Sequence, residues 1–187
     1  MIYTPIIPAA PSYEPPWKLS EDLICSHEVI KEKNLYPPSV TKALIIQHQS
    51  NCHGQSIHLY TDGSKSEQEV GFGIYSEQLS TSHKLPTISS IYTAELYAIL
   101  ETLNILNVHS ENKFTIFSDS LSSLKGIQQL SSNRPILSNL QSKLIELQRC
   151  NKYVYLCWVP SHINIYGNEQ ADKLAKEGKQ PSFRTIF

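Results

Sequence analysis

Four carboxylates, Asp62, Glu95, Asp119 and Asp172, occupy positions from which they could act together. Asp62 follows the apolar run Ile57-His58-Leu59-Tyr60-Thr61, and Asp119 follows Phe114-Thr115-Ile116-Phe117-Ser118. If these runs are adjacent parallel strands, both carboxylates emerge side by side at the strand ends, the crevice position favoured for sites in open α/β sheets. Glu95 falls in the first turns of a helical stretch, where Ala94 and Ala98 are small enough for close approach to a sheet. Asp172 stands next to Ala171 in the last helical stretch. Four such groups in one cleft repel one another strongly. Hard divalent cations ligated by oxygen alone, Mg²⁺ or Mn²⁺, relieve that repulsion. Two ions would clamp the attacking and leaving oxygens of a phosphodiester. Singly, each residue has an ordinary structural explanation, as a turn former after a strand or an acid near a helix start. Only the four together point to a metal-binding cleft.

The elements that must position these groups can be read from periodicity. Ile57 to Thr61 predicts a strand, ended by the turn residues Asp62-Gly63-Ser64. Gly71 to Tyr75 is a second strand, and a third lies between Gln78 and Leu85, joined by short connections as an antiparallel meander. Ser90 to Asn107 is the clearest helix, with Ala94, Tyr97, Ala98, Leu100, Leu103, Ile105 and Leu106 at helical spacing. Phe114 to Phe117 is a buried strand. Leu121 to Leu130 and Leu137 to Cys150 are helical, separated by Asn133-Arg134-Pro135. Tyr153 to Val159 is a last strand rich in aromatic and β-branched residues. Gly167 to Lys176 closes the pattern as a helix. The order β-β-β-α-β-α-α-β-α predicts an α/β domain with a five-stranded mixed sheet flanked by helices.

The motifs that carry these residues resemble the ribonuclease H domain. They run in order as Tyr60-Thr61-Asp62-Gly63-Ser64, Tyr92-Thr93-Ala94-Glu95-Leu96, Phe117-Ser118-Asp119-Ser120, Trp158-Val159-Pro160-Ser161-His162 and Gly167-Asn168-Glu169-Gln170-Ala171-Asp172-Lys173-Leu174-Ala175. The flavour is most similar to the domains at the end of reverse-transcriptase polyproteins of non-LTR retrotransposons. The resemblance implies an endonuclease that cuts the RNA strand of RNA/DNA hybrids with two Mg²⁺ ions, Mn²⁺ substituting, and leaves 5′-phosphate and 3′-hydroxyl ends. It implies that Asp62 bridges both ions, that Asp172 completes the one that activates water, and that Glu95 and Asp119 hold the one near the leaving 3′ oxygen. His162 corresponds to the family's loop histidine, which assists proton transfer or product release. Ser64 and Ser90 are candidate substrate contacts, Ser90 to a phosphate. A reverse-transcriptase domain in the same polyprotein is the implied partner.

The pattern departs from the family at the substrate-reading positions. Lys65-Ser66-Glu67-Gln68-Glu69 replaces a glycine-rich loop, and Ile91 and Tyr92 stand where cellular enzymes place asparagines that read 2′-hydroxyls. A basic protrusion is also missing, since Lys125, Arg134, Lys143 and Arg149 do not cluster between Leu121 and Cys150. Phosphate contacts supply most affinity for a duplex, so weak hybrid binding by this chain alone is expected. A catalytically silent binding module derived from a transposon is the alternative reading. An integrase or a 3′-5′ exonuclease of the same fold does not account for the motif from Gly167 to Ala175.

Composition sets the frame. The 187 residues include 40% hydrophobic and 18% charged residues, with a net charge of −1, ordinary for a globular domain and without the basic excess of an autonomous nucleic-acid binder. Residues 1–55 read as a proline-containing linker or connecting segment in which Ser39 caps a helix from Val40 to about Gln49. Residues 56–180 are the domain and 181–187 a tail. Cys25, Cys52, Cys150 and Cys157 lack paired spacing and read as reduced thiols of an intracellular protein, nuclear or cytoplasmic. His48, Cys52 and His53 lack a second zinc-type cluster and read as a polar loop. His58 is expected at a surface or sheet edge.

Overall fold

The computed structural model of the chain describes residues 24–25, 37, 39–43, 45, 47, 56–129 and 134–178. Its strands are β1 (Ile24–Cys25), β2 (Ile57–Lys65), β3 (Val70–Tyr75), β4 (Ser80–Leu85), β5 (Lys113–Ser118) and β6 (Tyr153–Trp158). Its helices are α1 (Ile91–Val108), α2 (Leu121–Gln128), α3 (Pro135–Arg149) and α4 (Tyr166–Glu177). The sheet order is β1-β6-β5-β2-β3-β4. The pairs β1–β6, β6–β5 and β5–β2 are parallel, and β2–β3 and β3–β4 are antiparallel. The five expected strands are therefore joined at one edge by a two-residue sixth from the N-terminal segment.

Alternation along the central strands sends side chains to two faces. Leu59, Phe114, Ile116, Val154 and Leu156 pack against Leu96, Ile99, Leu103, Leu124, Leu140 and Leu144 of α1, α2 and α3. On the opposite face Phe117 and Cys157 meet Ile45, Val159 and Ile165. Helix α4 lies on that second face, where it packs closely because β3 presents Gly71 and Gly73. A methyl group at Gly73 would lie 2.6 Å from the Ala175 nitrogen and 2.7 Å from the Leu174 Cβ.

Three local expectations change. Gly63, Ser64 and Lys65 continue β2, paired with Phe72, Gly71 and Val70, so Asp62 lies inside the strand and not at a turn. The ladder to β3 overrides the turn chemistry of Asp-Gly-Ser. Ser39 is already helical, and the first amides of that helix, Val40 and Thr41, donate to the Pro37 carbonyl. His58 sits on a central strand, not an edge, its ring edge-on to Phe117 at 5.2 Å and its Nε2 buried without a hydrogen-bond partner. The loop of His48, Cys52 and His53 lies outside the described residues. Cys150 and Cys157 are not joined to each other in a disulfide. Among the described residues no helix is long and apolar enough to cross a membrane.

Candidate active site

The parallel pairing of β2 with β5 ends at Thr61 opposite Ser118. The next residue of each chain segment is Asp62 and Asp119, which brings the two carboxylates to one level of the sheet. Helix α1 enters just above, its first amides capped by the Ser90 side chain, which accepts from Thr93 N. Gly63 makes the approach possible: a methyl there would lie 2.9 Å from the Glu95 nitrogen and 3.1 Å from the Ala94 Cβ. Glu95, in the second turn, thereby reaches the strand end. Carboxylate oxygens of Asp62, Glu95 and Asp119 lie within 4.8 Å of one another. Asp172 arrives from α4, near enough to Asp62 to raise its carboxyl further. All four line a cleft of about 320 Å³ with Ile91, Tyr92, Ser120, Ser122, Ser161 and His162.

The electrostatics follow from burial and repulsion. Burial, then the charges of Glu95, Asp119 and Asp172, push the Asp62 carboxyl up to about 10. Burial, then Asp119, raises Glu95 to about 8, against the lowering effect of a hydrogen bond from the Gly63 amide and one from Asp62. Burial raises Asp119 as well, while a hydrogen bond from Asn168 and the nearby His162 hold it down. Clustered carboxylates that retain protons in this way are held together against their own charge. The Oε2 of Glu95 is buried and has no hydrogen-bond partner. An oxygen-only donor set, an orphaned carboxylate oxygen and this electrostatic strain fit a hard divalent cation.

The structure thus brings Asp62, Glu95, Asp119, Asp172 and His162 into one cleft. His162 is exposed and adopts φ 59°, in the left-handed region. The two serines fall elsewhere. Ser64 lines a separate hollow with Lys84 and Lys176. Ser90 borders the neighbouring groove with Tyr92, Ser122, Lys125, Gln129 and Arg134, its hydroxyl engaged in capping α1.

Four supporting residues carry roles that sequence reasoning does not assign. Asn168 is buried one helical turn before Asp172 and steadies Asp119; the four-residue spacing on one helix face was the available signal. Trp158 donates from Nε1 to the Asp119 carbonyl at 3.0 Å. Lys176 pairs with Asp172 at 2.6 Å, again four residues on. Arg134 lies over the Tyr92 ring, 5.1 Å from its centroid, a contact across the helices that spacing does not reveal.

Comparison with known proteins places these observations in context. The family model described as RNase H matches residues 54–180. Proteins named Ribonuclease H1 are similar to the chain. The human protein is 25% identical over 167 residues, covering 78% of this chain and 58% of that protein. The rat (Rattus norvegicus) protein is 24% identical over 161 residues, with 75% and 56% covered. The mouse (Mus musculus) protein is 24% identical over 150 residues, with 69% and 52% covered. The chain spans about half the length of these curated relatives.

Proposed function

Since the chain belongs to the RNase H family, we propose that it hydrolyses the RNA strand of RNA/DNA hybrids, leaving 5′-phosphate and 3′-hydroxyl ends. The observation that carries this reading is the convergence of Asp62, Glu95 and Asp119 within 4.8 Å, in a cleft that Asp172 also lines. Asp62, Glu95 and Asp119 would hold the divalent cations, with Asp172 completing the donor set in the same cleft. When bound, Mg²⁺, or Mn²⁺ in its place, supplies charge neutralisation and lowers the pKa of water. The chain's own groups do the positioning. The Gly63 amide and Asn168 orient the Glu95 and Asp119 carboxylates, and Trp158 fixes the backbone under Asp119. His162, exposed at the mouth of the cleft, takes or delivers a proton there, or eases product departure.

Relatives named Ribonuclease H1 support this substrate class. The motif flavour supports a retroelement setting, in which a reverse-transcriptase domain of the same polyprotein holds the hybrid, in the nucleus or the cytoplasm. The domain itself would comprise residues 56–180. The groove beside the cleft offers Lys125 and Arg134 as its cations, so a neighbour that grips the duplex fits the arrangement. Incubation with labelled hybrid and divalent cation tests the reading, with duplex and single-stranded DNA alongside to test substrate class.

One observation favours a second reading, a silent binding module. Ile91 and Tyr92 line the cleft, Ile91 45% exposed, apolar and aromatic surface where hybrid recognition calls for polar contacts to 2′-hydroxyls. Such a module would bind without cleaving under any cation.

A further inference from the structure

We propose that the N-terminal helical residues 39–43, together with Ile45, clamp the loop carrying His162, with Lys42 as a positioning residue for cleavage; the catalytic half of this proposal rests on the ribonuclease reading above. The segment precedes the span matched by the family model, residues 54–180. Nothing in the family's matched span therefore supplies this contact.

The loop between β6 and α4 is held at three points. Its stems are Val159 and Ile165, 0% and 5% exposed, and both pack with Ile45, which is itself fully buried. Beyond its histidine, the Asn164 carbonyl accepts a hydrogen bond from Lys42 Nζ at 2.6 Å, across 122 positions of sequence. Between these points the backbone turns through the left-handed region twice, at His162 and Asn164, each with φ 59°. Residues with a Cβ adopt that conformation infrequently, His and Asn more readily than most. Neighbouring contacts decide how firmly it is held. The surroundings here are Ile45 under the stems and Lys42 on the Asn164 carbonyl. Release of that carbonyl frees the backbone two residues from His162, and the imidazole then samples directions away from Asp119.

The two roles of Lys42, general stability and aim of His162, separate in a double-mutant cycle on the full chain. Lys42→Met is expected to lower kcat by about fivefold with KM unchanged, within the range for residues coupled through a shared contact. Lys42→Arg, which keeps a donor, restores most of the loss. In a His162→Ala background Lys42→Met has no further effect. Hydrogen exchange gives a readout independent of turnover: Lys42→Met accelerates exchange of the amides of residues 161–165 and leaves β2 and β5 unchanged. Unaltered exchange in Lys42→Met, or an undiminished kcat loss in the His162→Ala background, overturns the clamp. A parent chain that cuts no hybrid while the loop amides still respond to Lys42→Met overturns the ribonuclease reading, and the clamp stands as a structural device alone.

Discussion

Thr61 stands opposite Ser118 as the last residue pair joining β2 to β5. The site follows from that register. Each strand's next residue is an aspartate, and a slip of one residue would turn Asp62 to the other face of the sheet. The antiparallel ladder to β3 continues past this point, through Gly63 to Lys65. Asp62 is thus held on a rigid strand while Asp119 begins the turn into α2. Burial at this junction makes the carboxylates costly to ionise, and the predictions below follow from that cost.

Asn168 holds Asp119 down by a hydrogen bond from α4. Asn168→Ala removes it without adding charge. Cation-supported cleavage should fall roughly 10- to 100-fold, the usual cost of losing a partner of a metal-binding group. Because a lowering influence is lost, Asp119 rises, so the acidic limb of the rate–pH profile should move to higher pH. A profile measured from pH 5 to 9 checks this; an unshifted limb at full rate would show that Asn168 is only structural.

Stability should depend on pH in the cation-free chain. Asp62 at about 10 and Glu95 at about 8 lie above their unfolded values near 4. Between those limits the native state binds more protons than the unfolded one. Stability from these groups is therefore greatest at the acid end of the window and is lost as pH rises through it. Thermal melts should show a lower Tm at pH 8.5 than at pH 5.5, with Mg²⁺ or Mn²⁺ restoring more at the higher pH. Glu95→Gln should flatten the slope. A Tm that rises across this interval and ignores both cations would contradict the electrostatic account.

Gly73 is where α4 meets the sheet most closely. Gly73→Ala places a methyl 2.6 Å from the Ala175 nitrogen and 2.7 Å from the Leu174 Cβ. Overpacking of this kind costs about 1–3 kcal/mol. For a chain of this size that corresponds to a loss of roughly 2–12 °C in Tm. Displacement of α4 also carries Asp172 away from Asp62, so cleavage should fall with stability. A variant that melts like the parent would show that the helix has room to shift.

The strands and helices were legible because their apolar residues recur at periods that survive in isolation: Leu59 beside Ile57 on one face, Ala94, Ala98 and Leu103 along α1. The carboxylates were legible because each follows such a run or sits in its first turns. The continuation of β2 was not, since Asp62-Gly63-Ser64 carries strong turn chemistry and only the β3 partner decides otherwise. His58 was misplaced for a related reason: alternation gives its face, but not which strand lies beside it. The roles of Asn168, Trp158 and Lys42 depend on partners in other elements, Asp119 for the first two and Asn164 for the last. The spacing of Asn168 and Asp172 on one helix face hints at the first, but no local pattern encodes the other two contacts. The edge pairing of Ile24–Cys25 with β6 is likewise tertiary, because two residues carry no period.

The proposed cation-dependent nuclease site requires the four carboxylates to act together. Cleavage of a labelled RNA/DNA hybrid by the parent chain in Mg²⁺ or Mn²⁺, beside Asp119→Asn, tests it most directly. RNA-strand products with 5′-phosphate and 3′-hydroxyl ends are expected from the parent and none from Asp119→Asn. No cleavage under either cation, or equal cleavage by the Asp119→Asn variant, would contradict it.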